Sequence, residues 1–189
     1  AQTRLPIQQI KALEKVMMHG CDYRLTTSEA LAQALGDAYD ASPPTVVYNA
    51  FPVAQRQSFD GETRDRRETT IHSLHWFSQT IGRGRGLETL LASLNQVSVP
   101  VEIHLRGNCS GTVRQWLNEL TRSTWRDRVF IHPTVSNREL LSRVAEHDIG
   151  LALEIPYCRN KELTASNKLF QYLQAGLAVI ATNTAGQRE

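Results

Sequence analysis

Three stretches of this 189-residue chain carry residue types that can hold an anion. Residues 78–86 read Ser-Gln-Thr-Ile-Gly-Arg-Gly-Arg-Gly and lie between a strand-like and a helix-like segment. Glycine lets backbone approach a phosphate closely, a helix start offers free N–H groups with partial positive charge, and arginine adds a bidentate clamp. The second stretch, residues 154–165 (EIPYCRNKELTA), joins a strand to a helix and holds Glu154, Arg159, Lys161 and Glu162. A connection of that length is more often functional than a simple link, although each charge taken alone reads as solvated. The third, Ser166-Asn167-Lys168, opens the helical run KLFQYLQAG. There a serine N-cap is expected, with a lysine beside the uncapped N–H groups.

Other chemistries find less support. The glycine spacing of 82–86 is G-x-G-x-G and not the G-x-G-x-x-G of a dinucleotide fingerprint. The acidic residue such a fingerprint needs about 20 positions on would be Glu102, inside a strand. His72, His75, His104 and His132 sit in strand-like segments with no second ligand at metal spacing, so they read as packed or surface residues and no metal is expected. Neither a G-x-S-x-G elbow nor a Walker A loop occurs. Gly176 reads as a helix C-cap.

The elements that must position these stretches follow from periodicity. Residues 71–78, 101–105, 128–132, 148–154 and 177–182 read as strands. Between them lie helices: Leu87, Leu90, Leu91 and Leu94 recur at helical spacing, as do Val113, Trp116, Leu117 and Leu120. A capping box, Ser136 to Glu139, opens a third helix, and residues 166–175 form the fourth. Five strands separated by four helices make βαβ units, hence an α/β fold with a mostly parallel, doubly wound sheet. Upstream, residues 5–19 read as a helix ended by Gly20, 22–25 as a short strand, 26–35 as a helix opened by a Thr26-to-Glu29 capping box, and 46–48 as a strand. Residues 55–69 hold four Arg and four acidic residues with almost nothing apolar, and read as a solvated linker or mobile loop.

Composition narrows the class further. With 41% hydrophobic and 21% charged residues the chain is globular, and a net charge of +2 excludes a nucleic-acid coat or a polybasic membrane patch. Cys21, Cys109 and Cys158 stand far apart, an odd number that fits a reducing, cytoplasmic compartment. No apolar run approaches the roughly 20 residues of a membrane helix. The strand-like run just before Glu189 lacks a closing helix, so a piece of a longer protein is expected, with a sixth strand and closing helices beyond Glu189.

The runs WFSQTIGRGRGLETLLASL, VEIHLRGN, RVFIHPTVSNRELLSRVAEHDIGLALE and SNKLFQYLQAGLAVIATNTAGQRE together resemble the donor-binding half of GT-B glycosyltransferases, of the family-4 retaining type. The likeness covers about residue 44 to the end; its most specific part is K-L-F-x-Y-L-x-A-G-L-x-V-I-A-T, with the Arg-Gly-Leu-Glu turn second. DYRLTTSEALAQAL and VVYNAFP are similar to the tail of the acceptor-binding N-terminal domain. The resemblance implies residues 1–50 as that tail, 51–70 as a charged linker, and 71–189 as a Rossmann-like, C-terminally truncated donor domain. It implies a nucleotide-diphosphate sugar (UDP-, GDP- or ADP-linked), a glycan or lipid-linked acceptor, and polysaccharide or cell-surface glycan synthesis in the cytoplasm, with the full-length enzyme peripheral to the inner membrane. No cofactor is implied, and the catalytic residues stay unknown.

Carried over position by position, Arg85 and Gly86 match the diphosphate contact, and Ser166, Asn167 and Lys168 the helix start facing phosphate and sugar. Pro133–Val135 match the segment that reads the base, and Gln79 and Gly82 are weaker candidates in the glycine turn. Gln171 stands where the family has a glutamate for the ribose hydroxyls; an amide offers one uncharged acceptor oxygen. The resembled family pairs that glutamate with another eight residues earlier (E-x7-E); here that position is Leu163, with Glu162 beside it, and Glu154 is the alternative acid. Two other readings share the architecture: a non-catalytic nucleotide-binding or interaction module, and a nucleotide-sugar epimerase.

Overall fold

The computed structural model describes residues 6–59 and 70–189. Its centre is a five-stranded, all-parallel sheet in the order β5-β4-β3-β6-β7, formed by His72–Thr80 (β3), Val101–Asn108 (β4), Val129–His132 (β5), Ile149–Ala152 (β6) and Ala178–Ala181 (β7). The buried strand residues are mostly apolar, among them Leu74, Trp76, Val101, Ile103, Leu105, Leu151 and Ala152, as a sheet covered on both faces requires. One face carries Leu74, Trp76, Ile103 and Leu105 under Leu87–Ser93 (α3) and Gly111–Leu120 (α4), whose Leu87, Leu91, Trp116 and Leu117 are buried against them. The other face packs Ala152 and Phe77 against Leu141 and Val144 of Asn137–Ala145 (α5) and Tyr172 of Asn167–Ala175 (α7). Each fully buried leucine or valine contributes about 1.5–3 kcal/mol, so these two layers hold the sheet between them.

Strand order runs outward from β3 in one direction through β4 and β5, then restarts on its other side at β6. The reversal puts a crevice between the carboxyl ends of β3 and β6, where the crossovers leave in opposite directions. At the opposite end the same two strands are clipped together: the Ser73 N–H and hydroxyl both donate to Asp148 Oδ2, at 2.8 and 3.0 Å.

The doubly wound expectation holds, with boundaries moved. β3 extends to Thr80 and β4 to Asn108, and the capping box of Ser136 and Glu139 is present. Gly176 closes α7 in the left-handed conformation. The 154–165 connection is not a plain loop, because Arg159–Leu163 (α6) forms a short helix within it.

Upstream, Ile7–Gly20 (α1) precedes a βαβ unit of Leu25–Thr26 (β1), Glu29–Tyr39 (α2) and Thr45–Val46 (β2), whose two strands pair in parallel. The cap of α2 is Ser28, which accepts from Leu31 N–H, and not Thr26, which is drawn into β1 by its pairing with Val46. Ser28 also donates its hydroxyl to Leu163 O at 2.5 Å, and the Glu29 and Ala30 N–H groups donate to the Glu189 carboxylate at 2.9 and 2.6 Å. With the Tyr48 ring 5.9 Å from that of Phe170, this segment docks on α6 and α7. Of the expected linker, Val53–Ser58 forms a 3-10 turn and Phe59 packs on the α5–α7 layer; the rest, residues 60–69, lies outside the described residues.

Four imidazoles line the α5 side of β3, β4 and β5. His75 and His104 are register partners, His75 stacks on His147 at 4.3 Å, and the His104 and His132 ring nitrogens meet at 3.0 Å. His75 is fully buried and held neutral far below its ordinary range, first by burial and then by His147, Arg106, His104 and His132. The unfolded chain takes up that proton near pH 6.5 and the native chain does not. Stability is therefore complete above that pH and falls as pH is lowered through it. Urea unfolding from pH 8 to pH 5 is expected to show a midpoint that drops below about pH 6.5; a flat midpoint would refute the neutral cluster.

Among the described residues, no helix is long and apolar enough to cross a membrane.

Candidate anion site at the strand switch point

The crevice between β3 and β6 is a cavity of about 540 Å³, lined by Trp76, Arg83, Gly84, Arg85, Leu153, Glu154, Ile155, Tyr157, Lys161 and Lys168. Four cations and one carboxylate therefore face one space. A cavity of about 560 Å³ beside α2 has no arginine or lysine in its wall and two aspartates, so it does not suit an anion.

Three segments build the site. The turn after β3 folds back over the strand end because Gly86 adopts φ +84°, and a Cβ there would lie 2.7 Å from Leu153 Cβ. That close approach seats the turn against the segment after β6. Within the turn, the Gly84 N–H donates to Glu88 Oε1 at 2.9 Å, and Arg85 Nη1 donates to Ser78 Oγ at 2.9 Å. Arg83 lies 5.1 Å over the Trp116 ring. The arginines are thus aimed while remaining exposed.

The second segment follows β6. The Glu154 N–H donates to Thr182 Oγ1 at 3.0 Å, which fixes where the carboxylate leaves the sheet. α6 then returns Lys161 to it, with Nζ donating to Glu154 Oε2 at 2.9 Å. The third is the start of α7, where Lys168 Nζ sits 3.6 Å from Glu154 Oε1 and 5.8 Å from the Trp76 ring centroid. Its side chain is only 17% exposed. Burial pulls the Lys168 ammonium below its usual range; Glu154 opposes this, while Lys161 and Arg85 add to it. A cation so placed gains from any further negative charge brought beside it.

The structure brings together Arg85, Gly86, Lys168 and Glu154 of the residues singled out by sequence. Glu154 is not a solvated charge: it is 13% exposed and paired with two lysines. Ser166 is no side-chain cap, because its hydroxyl donates to Glu154 Oε1 at 3.3 Å instead of accepting from α7. The Asn167 side chain is engaged by the Asn49 amide from the upstream segment. Glu162 turns away and accepts from Ala185 N–H at 3.0 Å. Gln79 is exposed one residue before the end of β3, Gly82 stands in the turn without lining the cavity, and Gln171 is half-buried on α7, one turn beyond Lys168. Pro133 and Val135 follow β5, two strands from β3, where Arg106 Nη1 donates to Pro133 O at 3.0 Å.

Sequence reading passed over Trp76, Arg83, Tyr157 and Lys161 as site members. Arg83 stands two residues before Arg85 in the same turn, and Lys161 and Tyr157 lie in a connection already marked by its length. Trp76 carried no signal, since strand aromatics most often pack in cores. Among the described residues, no cluster of three His, Cys, Asp or Glu side chains could hold a metal ion.

No family model matches the chain. No curated protein matches it in sequence. Solved structures do match in fold. Anabaena HepE in complex with UDP is 16% identical over 98% of this chain and 51% of its own, with a TM-score of 0.68. Sucrose-phosphate synthase from Thermosynechococcus elongatus is 14% identical over 98% and 47%, at 0.65. An E. coli trehalose-6-phosphate structure bound with UDP-2-fluoro glucose is 13% identical over 97% and 50%, at 0.60. The chain spans about half the length of the structures it matches. Its architecture is that of GT-B glycosyltransferases, with the Rossmann-like sheet corresponding to their C-terminal domain.

Proposed function

We propose that this chain is the donor-binding part of a glycosyltransferase, holding a nucleotide-diphosphate sugar at the β3–β6 switch point for transfer to a glycan or lipid-linked acceptor. The observation that carries the reading is the clustering of Arg83, Arg85, Lys161 and Lys168 around one cavity at the carboxyl ends of the strands. HepE, a structural neighbour, has been solved with UDP-glucose. In such a transfer the glycosidic bond to the diphosphate breaks, and negative charge grows on the departing phosphate. Cations fixed beforehand by Ser78, Trp76 and Glu154 meet that charge without reorganising, which is the most effective form of electrostatic stabilisation. No metal is required by this scheme. The setting is read as cytoplasmic polysaccharide or cell-surface glycan synthesis.

One observation favours a second reading. Gln171 supplies an amide where the resembled family has a carboxylate, and charge-assisted bonds are about twice as strong as neutral ones. A module that keeps the fold and has lost turnover, or an epimerase of the same architecture, would carry the same cavity. Calorimetric titration of UDP, GDP and ADP separates the cases at the binding step. Saturable binding of one of them is expected; no heat at millimolar nucleotide would favour an interaction module and overturn the donor-site reading. Product analysis without acceptor then tells an epimerase, which needs none, from a transferase.

A further inference from the structure

The geometry points to Glu154 as a specificity-determining residue that tunes the cavity toward an esterified diphosphate and against a free one. This rests on the donor-site reading above. Glu154 is the single carboxylate in a wall of four cations, and it is not peripheral. Oε2 accepts from Lys161 Nζ at 2.9 Å, and Oε1 accepts from Ser166 Oγ at 3.3 Å and lies 3.6 Å from Lys168 Nζ. Its backbone is tied to Thr182, so it cannot leave the site by a simple shift of the strand end.

A carboxylate bridging two lysines already neutralises part of the charge that an anion would use. It also repels any phosphate oxygen that approaches the same ammonium groups, and beside Lys168, where both side chains are largely buried, that repulsion is poorly screened. The repulsion grows with the charge of the ligand. A nucleoside diphosphate with a free terminal phosphate carries up to one more negative charge than its sugar ester. Glu154 therefore penalises the free nucleotide more than the nucleotide sugar, which favours substrate over product and speeds product departure. Glu154 holds both lysines in place before any ligand arrives, so binding does not have to order them.

The test is calorimetric titration of the wild-type chain and Glu154→Gln with UDP and with UDP-glucose at fixed ionic strength. The amide keeps the shape and one acceptor oxygen. UDP is expected to bind the variant at least tenfold more tightly, a gain between that of one charge interaction in bulk water and one near a protein surface, with a smaller gain for UDP-glucose. The double variant Glu154→Gln/Lys161→Met restores the net charge of the cavity, and with it the wild-type ratio of the two affinities. Equal gains for both ligands, or weaker binding of both, would overturn the inference while leaving the donor site standing. A wild-type chain that binds neither ligand overturns the donor-site reading and this inference with it.

Discussion

Replacing Lys168 with alanine lowers nucleotide affinity by about 10- to 100-fold on this account. Hydrogen bonds to charged groups contribute roughly 1.5–3 kcal/mol, and each 1.4 kcal/mol is tenfold in Kd. Lys168 is the best-placed of the four cations, since its ammonium is largely shielded from water between Trp76 and Glu154. Removing it also leaves Glu154 facing the ligand with Lys161 and the uncharged Ser166 hydroxyl as partners, which adds repulsion to the lost attraction. Arg85→Ala acts in the same direction with smaller effect, because that side chain is exposed and its charge is screened. In a chain competent for transfer, both substitutions are expected to cut turnover by one or more orders of magnitude. Titration of UDP against Lys168→Ala checks the first statement, and an unchanged Kd would remove Lys168 from the site.

Gly150→Ala is expected to destabilise the fold by at least about 3 kcal/mol, lowering Tm by roughly 6–12 °C. Gly150 lies in β6 directly beneath the Tyr172 ring, and a Cβ there would come 2.1 Å from Cγ and 2.4 Å from both Cδ atoms. The ring cannot retreat. It is fully buried, its hydroxyl donates to His75 O at 3.0 Å, and α7 is packed over it. Tyr172→Phe would give no relief, because the clashing atoms remain, whereas Tyr172→Ala in the Gly150→Ala background should recover part of the loss. Thermal unfolding of the three variants decides this. The effect also reaches the site, since α7 carries Lys168 one turn before Tyr172.

Much of this framework is legible in the sequence. Alternation of apolar strands and amphipathic helices is a local pattern, so β3 to β7 and their crossovers could be placed within a few residues, while glycine and arginine content marked the loop after β3 and length the one after β6. Arg85 and Lys168 were legible for the same reason: each sits beside a helix start that the sequence itself announces. Partnerships between distant residues were not. Ser28 with Leu163, Asn49 with Asn167, and Glu29 with Glu189 join segments more than a hundred residues apart, and no periodicity encodes them. Ser166 shows the cost. A serine before a helix is a good cap by propensity, yet Glu154, twelve residues earlier, offers its hydroxyl a charged acceptor and takes it. Glu154 itself looked solvated because the two lysines that enclose it come from α6 and α7, and α6 has too few residues to announce itself by spacing.

The central claim is that the β3–β6 crevice holds a diphosphate. A crystal structure of the chain with UDP-glucose tests it most directly. The account predicts both phosphates in the cavity, within hydrogen-bonding distance of Arg85 and Lys168, with Glu154 displaced from at least one lysine. A diphosphate bound anywhere else on the molecule, with the Glu154–Lys161–Lys168 cluster undisturbed, would contradict it.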